Sequence, residues 1–118
     1  MKLYYFLGLI FNILFINAQI VFEQEPANFK PKFEVASCYI VCKEKILYLK
    51  RSSKSSWQFS WGIPAGKIES GQTPYNAMIR EVFEETGLNL SKINIKFLKK
   101  VYVKDPQKDF IYHIFMCE

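Results

Sequence analysis

The sequence predicts an α+β domain, in which short runs of β-branched and aromatic residues flank one helix with clear signals at both ends. Three observations carry this. Val, Ile, Tyr and Phe crowd into Phe33–Cys42, Ile93–Val103 and Phe110–Cys117, as they do in strands. Thr73, Pro74 and Gly87 stand where a helix wants its N-cap, its first residue and the residue just past its end. The 118 residues suffice for one domain, and with 50% hydrophobic and 17% aromatic residues a core forms and wholesale disorder is excluded.

Residues 1–25 are set apart from the domain proper, 26–118. Met1-Lys2 precedes Leu3–Ile16, apolar except for Asn12, and then Asn17-Ala18-Gln19. A short basic start, an apolar run and Ala18 before a cut fit a signal peptide, although Ile16 is bulky for its place before that cut. A spanning helix needs about 20 apolar residues, and this run gets there only by continuing through Asn17 and Gln19 to Phe22. A later start of the protein, or packing of the segment on the domain, are the other readings. Membrane association therefore rests on residues 3–22 alone. The thiols favour the cytoplasm, with export or tethering as the rival.

Cys38, Cys42 and Cys117 are an odd number of cysteines. Four residues apart in one strand, Cys38 and Cys42 would have Cα atoms roughly 13 Å apart. A disulfide tolerates no more than about 7 Å. No metal-binding Cys spacing occurs, so all three read as buried or half-buried free thiols, as in a reducing compartment.

Along the chain, Glu23–Lys32 with Pro26 and Pro31 is an extended entry, and Phe33–Cys42 is the first strand. Lys43-Glu44-Lys45 turns the chain into a second strand, Ile46–Lys50. Ser52–Ser56 is a loop, Trp57–Ile63 a short aromatic segment ending at Pro64, and Ala65-Gly66 and Ser70-Gly71 are turns. The helix follows Thr73. Ile93–Val103 and Phe110–Cys117 are the last strands, joined across Asp105-Pro106. On the helix, Tyr75, Ile79, Val82 and Thr86 fall on one side, whereas Glu81, Glu84 and Glu85 share another. Three carboxylates within one turn, at the negative end of the helix dipole, repel one another unless a cation lies among them, and a hard ion such as Mg²⁺ prefers oxygen ligands of this kind. A merely solvated acidic face would have the same composition.

The stretch from Gly66 to Leu88 sharpens the reading. It runs Gly-x5-Gln-x7-Arg-Glu-Val-x-Glu-Glu-x-Gly-Leu, through Gly66, Gln72, Arg80, Glu81, Val82, Glu84, Glu85, Gly87 and Leu88. This resembles the box of the Nudix hydrolases (MutT-like), G-x5-E-x7-R-E-U-x-E-E-x-G-U with U aliphatic, and matches eight of its nine defined positions at the correct spacing, with Gln72 where the family has Glu. The approach Trp61-Gly62-Ile63-Pro64-Ala65-Gly66-Lys67-Ile68-Glu69 is similar to the family's as well. The resemblance covers roughly residues 33–118.

It implies an α/β/α sandwich around a mixed sheet. The chain stops at Glu118, before the further strand and second helix that members generally carry, and so reads as a fragment or a degraded copy. It also implies Mg²⁺ or Mn²⁺ held by Glu81, Glu84, Glu85 and the carbonyl of Ala65, and hydrolysis of a nucleoside diphosphate linked to another moiety. Glu81 or Glu84 would take the proton from the attacking water. Arg80 would pair with a box carboxylate, and Gly66, Gln72, Arg80 and Gly87 would be structural. Gln72 brings no negative charge, which puts catalytic strength in question rather than the fold. Arg51 matches a position where members often bind phosphate, and a solvated Arg reads equally well. Trp57 or Phe59 would stack on a base or, more simply, pack in the core. His113 has no recognisable partner. Val103 stands where ADP-ribose-cleaving members tend to place Pro, and Lys104-Asp105-Pro106 where dinucleoside-polyphosphate enzymes often carry Tyr. A nucleoside triphosphate pyrophosphohydrolase is the default.

Two rivals remain. One is a weak or inactive Nudix module that binds a nucleotide or a protein. The other is a basic nucleic-acid binder, since the formal charge is +5. The lysines are spread over Lys43–Lys54 and Lys92–Lys108 without a known motif, so no specific nucleic-acid binding is expected; oligomeric state is open.

Overall fold

A computed structural model describes residues 20–51 and 60–118. Among the described residues, eight strands and one helix succeed one another: β1 (Val21–Phe22), β2 (Pro31–Cys42), β3 (Lys45–Ile46), β4 (Leu49–Lys50), β5 (Trp61–Gly62), β6 (Ala65–Lys67), α1 (Pro74–Thr86), β7 (Ile95–Lys104) and β8 (Asp109–Cys117). The main sheet runs β1-β7-β8-β2-β3, with β6 also paired to β2, and β4 and β5 make a small sheet of their own. β2 and β8 run parallel and every other pair is antiparallel, so the sheet is mixed as expected.

β2 is the axis of this arrangement. One edge pairs with β8 from Pro31 to Ile40; the other is divided, β6 lying along Val35–Ser37 and β3 along Val41–Cys42. Bonds from Cys38 N to the Pro64 carbonyl (3.1 Å) and from Ile68 N to the Glu34 carbonyl (2.9 Å) extend the β6 pairing at both ends. The expected turn at Ala65-Gly66 is thus a strand, because β2 is long enough to offer it an edge. The expected second strand is two: Lys45–Ile46 stays on β2, and Leu49–Lys50 leaves for β5. The sheet also reaches back before residue 26, since Val21 and Phe22 pair with Val103 and Tyr102. The Ser52–Ser56 loop, Trp57, Phe59 and the apolar run Leu3–Ile16 lie outside the described residues.

The helix follows its caps. Thr73 Oγ1 accepts from Asn76 N (3.1 Å), Pro74 opens the first turn, and Gly87, at φ 77°, donates its N–H to the Phe83 carbonyl (2.8 Å). Its buried face is Ala77, Met78 and Val82, which meet Ala36 and Cys38 of β2, Phe115 and Cys117 of β8, and Leu90. Of the side read through Tyr75, Ile79, Val82 and Thr86, only Val82 is fully buried: Ile79 packs partly, and Tyr75 is 40% exposed, touching the core through an edge contact with Phe115. A stripe centred on Met78 lies rotated from one centred on Ile79, and the small Ala77 lets the helix sit close to the sheet. That rotation carries Glu81, three residues after Met78, to the rim of the buried face. The second helical layer of the expected sandwich is not among the described residues, which hold this one helix; none of their helices is long and apolar enough to cross a membrane.

The three thiols are free. Cys38 and Cys117 are buried with their sulfurs 4.0 Å apart, whereas Cys42, expected to be at least half-buried, is exposed at the end of β2. Burial pushes the Cys38 thiol up to about 12, with Cys117 adding to the shift, so the reactive thiolate is suppressed there. An aromatic disulfide reagent at pH 8 should therefore modify one thiol, Cys42, quickly in the native protein, and Cys38 and Cys117 only at the rate of unfolding. Fast modification of two or three would contradict the packing described.

The β2–β3 turn holds Lys43 (φ 48°) and Glu44 (φ 62°), both left-handed, between the paired Cys42 and Lys45. Two-residue hairpins of this kind prefer Asn-Gly because other side chains clash with the backbone there. Glu44→Gly should stabilise the fold by up to about 1 kcal/mol, visible as a higher urea midpoint with unchanged slope. A lower midpoint would show that Glu44 contributes something the strained turn conceals.

Candidate active site

The last two turns of α1 lie over β6, and this places the box residues. Gly66 pairs with Ala36 on the helix side of the sheet, and a Cβ on Gly66 would fall on the Glu81 carboxyl. The glycine is required by space, not by conformation: only a hydrogen fits between this strand and the glutamate. Glu81 is consequently well covered, its side chain 15% exposed, while that of Glu84, a turn's edge further round, is 53% exposed.

Arg80 ties these parts together. Its Nη1 lies 2.7 Å from Glu81 Oε1 and 3.1 Å from Glu84 Oε2. Its Nη2 donates to the Lys67 carbonyl (2.9 Å) and to Gln72 Oε1 (3.4 Å). The resemblance implied a structural Arg80 paired with one box carboxylate; it pairs with two and holds β6 and the loop besides. Glu69 Oε1, 3.7 Å away, adds a third acid. Gln72 Oε1 also accepts the Glu69 N–H at 3.2 Å, so this side chain fastens the loop to the helix with one neutral oxygen. Gly87 closes the helix, as expected.

Burial pushes the Glu81 carboxyl up despite the opposing pull of Arg80, and Glu84 and Glu69 push it further. Burial likewise raises the Glu85 carboxyl, with Glu81 adding to it, while a backbone hydrogen bond from Ala65 and the charge of Arg51 pull it down. Glu85 thus sits beside Ala65, the residue expected to lend a carbonyl. Arg51 leaves β4 with its N–H on the Ser60 carbonyl (2.8 Å), and its guanidinium lies across Gly62, where a Cβ would come within 3.0 Å of Nη2. Arg51 thus lies near enough to Glu85 for its charge to act on that carboxyl.

Glu81, Glu84, Glu85 and the Ala65 carbonyl are all oxygen donors, the set a hard divalent cation takes, and two of the carboxylates carry the raised affinity for positive charge that a cation relieves. They fit the ion in kind. Among the described residues, however, no three His, Cys, Asp or Glu side chains converge on one point. Glu81 and Glu84 are instead turned to Arg80.

Two groups escaped the sequence reading. Tyr112 of β8 hydrogen-bonds Ser37 of β2; burial pushes its phenol up, against that bond, and Arg51 and Glu85 both act on it, so it belongs beside the carboxylates. His113, buried, has Nε2 2.6 Å from Glu34 Oε2. Both contacts cross the parallel β2–β8 pair, between residues more than seventy positions apart, and no local pattern announces them.

Comparison with known proteins agrees with this geometry. A family model described as the NUDIX domain matches residues 31–118. An RNA pyrophosphohydrolase of Actinobacillus succinogenes is 37% identical over 67 residues, covering 55% of this chain and 32% of that protein. The chain therefore spans about a third of the length of that curated relative. The MutT protein of Methanosarcina mazei Go1 superposes with a TM-score of 0.65 at 26% identity, covering 75% of this chain and 64% of its own. A bifunctional NMN adenylyltransferase/ADP ribose pyrophosphatase of Francisella tularensis, complexed with AMP and Mn, superposes at 0.55 with 26% identity, covering 77% of this chain and 28% of its own. With its helix, its glycine-gated glutamate and a family model over most of its length, the chain belongs to the Nudix family.

Proposed function

We propose that this chain hydrolyses a phosphoric anhydride bond in a nucleoside diphosphate linked to another moiety, with Mg²⁺ or Mn²⁺ as cofactor. The observation that carries the proposal is the pair Glu81 and Glu85, whose carboxyls are pushed up by burial where α1 meets the Ala65–Gly66 backbone, with Arg51 acting on Glu85. Glu81, Glu84, Glu85 and the Ala65 carbonyl would hold the ion. When bound, it neutralises phosphate oxygens and lowers the pKa of a water. Arg51 binds a phosphate and aligns the anhydride for in-line attack, a role suited to its planar fork of donors. Glu81 or Glu84 accepts the proton. Arg80 and Gln72 keep the loop and helix in register, and Gly66 leaves room for the Glu81 carboxyl. The names of the relatives, an RNA pyrophosphohydrolase and an ADP ribose pyrophosphatase, support the bond type and differ in what is joined to it. A nucleoside triphosphate is the default substrate.

A second reading, a Nudix module that binds without turnover, is favoured by one observation: Glu81 and Glu84 are already engaged by Arg80. Hydrolysis of a nucleotide panel by the full chain separates the two. Turnover should require Mg²⁺ or Mn²⁺, fall about 10²-fold or more in Glu81→Gln or Glu84→Gln, whichever residue is the base, and rise in Gln72→Glu. A folded protein that turns over nothing, even as Gln72→Glu, would favour the binding module.

Gly66→Ala isolates the steric argument. The added methyl displaces the Glu81 carboxyl, so turnover should fall to near that of Glu81→Gln, with about 1–3 kcal/mol lost in stability from overpacking. Full activity in Gly66→Ala would show that Glu81 does not need its place against this strand.

A further inference from the structure

We infer that the free edge of β7, from Lys96 to Lys100, takes up an extended acidic segment of a partner protein as an added antiparallel strand. The inference goes beyond the hydrolytic reading and does not rest on it. β7 lies across the sheet from β6 and the glutamates, with β8 and β2 between them.

β7 runs for 10 residues, but β1 covers only its last part, pairing with Tyr102 and Val103. From Ile95 to Val101 the side away from β8 has no strand on it among the described residues. The Lys104 N–H faces this side, donating to the Ile20 carbonyl. Alternation along an antiparallel strand turns the backbone groups of Tyr102 and Lys100 the same way. Lys100 thus offers an N–H and a carbonyl at the open edge. Lys96, Phe97, Leu98, Lys99 and Lys100 are all exposed, Phe97 by 55% and Leu98 by 46%. Unpaired backbone groups beside exposed apolar side chains are what an added strand uses.

The charges identify the occupant. Lys96 and Lys99 stand opposite Met116 and Ile114, on the face away from α1, whereas Phe97 meets Phe115 on the helix side. The bulge between Phe97 and Lys99 is what brings these two lysines, otherwise out of phase, onto one face. A second copy of the chain is kept off, because antiparallel pairing of this edge with itself sets lysine against lysine. The same charges draw in a strand that carries carboxylates. One carboxylate already stands there: Glu23 Oε1 lies 2.5 Å from Lys99 Nζ, which holds the Glu23 carboxyl below the usual carboxylate range. Lys100 lies over the Tyr102 ring, and neither it nor Lys96 has a carboxylate partner among the described residues. An occupant with alternating acidic and apolar residues sets its carboxylates toward Lys96 and Lys99 and its apolar side chains beside Phe97.

The test uses the full chain and a fluorescein-labelled eight-residue peptide of alternating Glu and Val, followed by anisotropy, with the Lys-Val counterpart as control. The Glu-Val peptide should bind, more weakly as salt rises, and the Lys-Val peptide should not. Lys96→Glu combined with Lys99→Glu should weaken binding about tenfold or more. Glu23→Gln should tighten it about threefold by freeing Lys99. Lys100→Pro removes the outward N–H where an edge strand tolerates proline, so it should bind more weakly than Lys100→Ala at the same urea midpoint. Equal affinity for the two peptides, or affinity unaltered by the double reversal, would overturn the acidic partner, whatever the proline does to stability. Equal binding by folded Lys100→Pro and Lys100→Ala would overturn strand addition. A single-stranded RNA that binds this edge more tightly than the peptide and displaces it would also overturn the inference, the lysines then serving a nucleic acid.

Discussion

A single guanidinium decides how helix, strand and loop meet. Arg80 reaches from α1 to the Lys67 carbonyl on β6, to Gln72 in the loop, and to Glu81 and Glu84 on its own helix. Lysine has one point of charge and no fixed fork, so it cannot serve these directions at once. The planar group sets the angle at which the last turns of α1 cross β6, and that angle puts the Glu81 carboxyl against Gly66. Only the Nη atoms do this work. Arg80 Nε is buried without a hydrogen-bond partner, an unusual state whose cost the other contacts offset. The geometry of the site thus depends on a contact made for structure.

Gln72 is best understood from the same contact. Its Oε1 accepts from Glu69 N and from Arg80, which are the loop-holding duties a glutamate would perform in that place. A neutral oxygen performs them with less Coulomb attraction to the guanidinium. The charge of Arg80 is balanced by Glu81 and Glu84, with Glu69 farther off.

What the sequence made legible is what lies within a few residues. Caps at Thr73 and Gly87 bounded α1 to the residue, because capping is local chemistry. The fixed spacing from Gly66 to Leu88 located the carboxylates, the steric glycine and Arg80 for the same reason. Strand composition found β2, β7 and β8. The failures are long-range: β6 was read as a turn, since Ala65-Gly66 looks like one until β2 offers it an edge, and Ile46–Lys50 was read as one strand although its halves choose different partners. Tyr112 with Ser37 and His113 with Glu34 depend on the register of two parallel strands far apart in the chain. The side of the helix counted through Tyr75 and Ile79 is not the centre of its buried face, because small Ala77 at the interface brings Met78 there.

The rotation of that stripe matters more than its size suggests. With Ala77, Met78 and Val82 inward, i+3 and i+4 spacing carries Glu81 from the surface to the rim of the core, and Glu85 follows one turn later. Burial there raises the affinity of both for positive charge, which exposed glutamates on a solvated face would lack. Were Tyr75 and Ile79 at the centre instead, the three glutamates would stand in water with ordinary carboxylate behaviour, paired loosely and worth little to a cation. The packing of one alanine and one methionine against β2 and β8 is therefore part of the chemistry: the core face sets where the acidic face begins, and the boundary between them, at Glu81, is where the strand without a side chain has to pass.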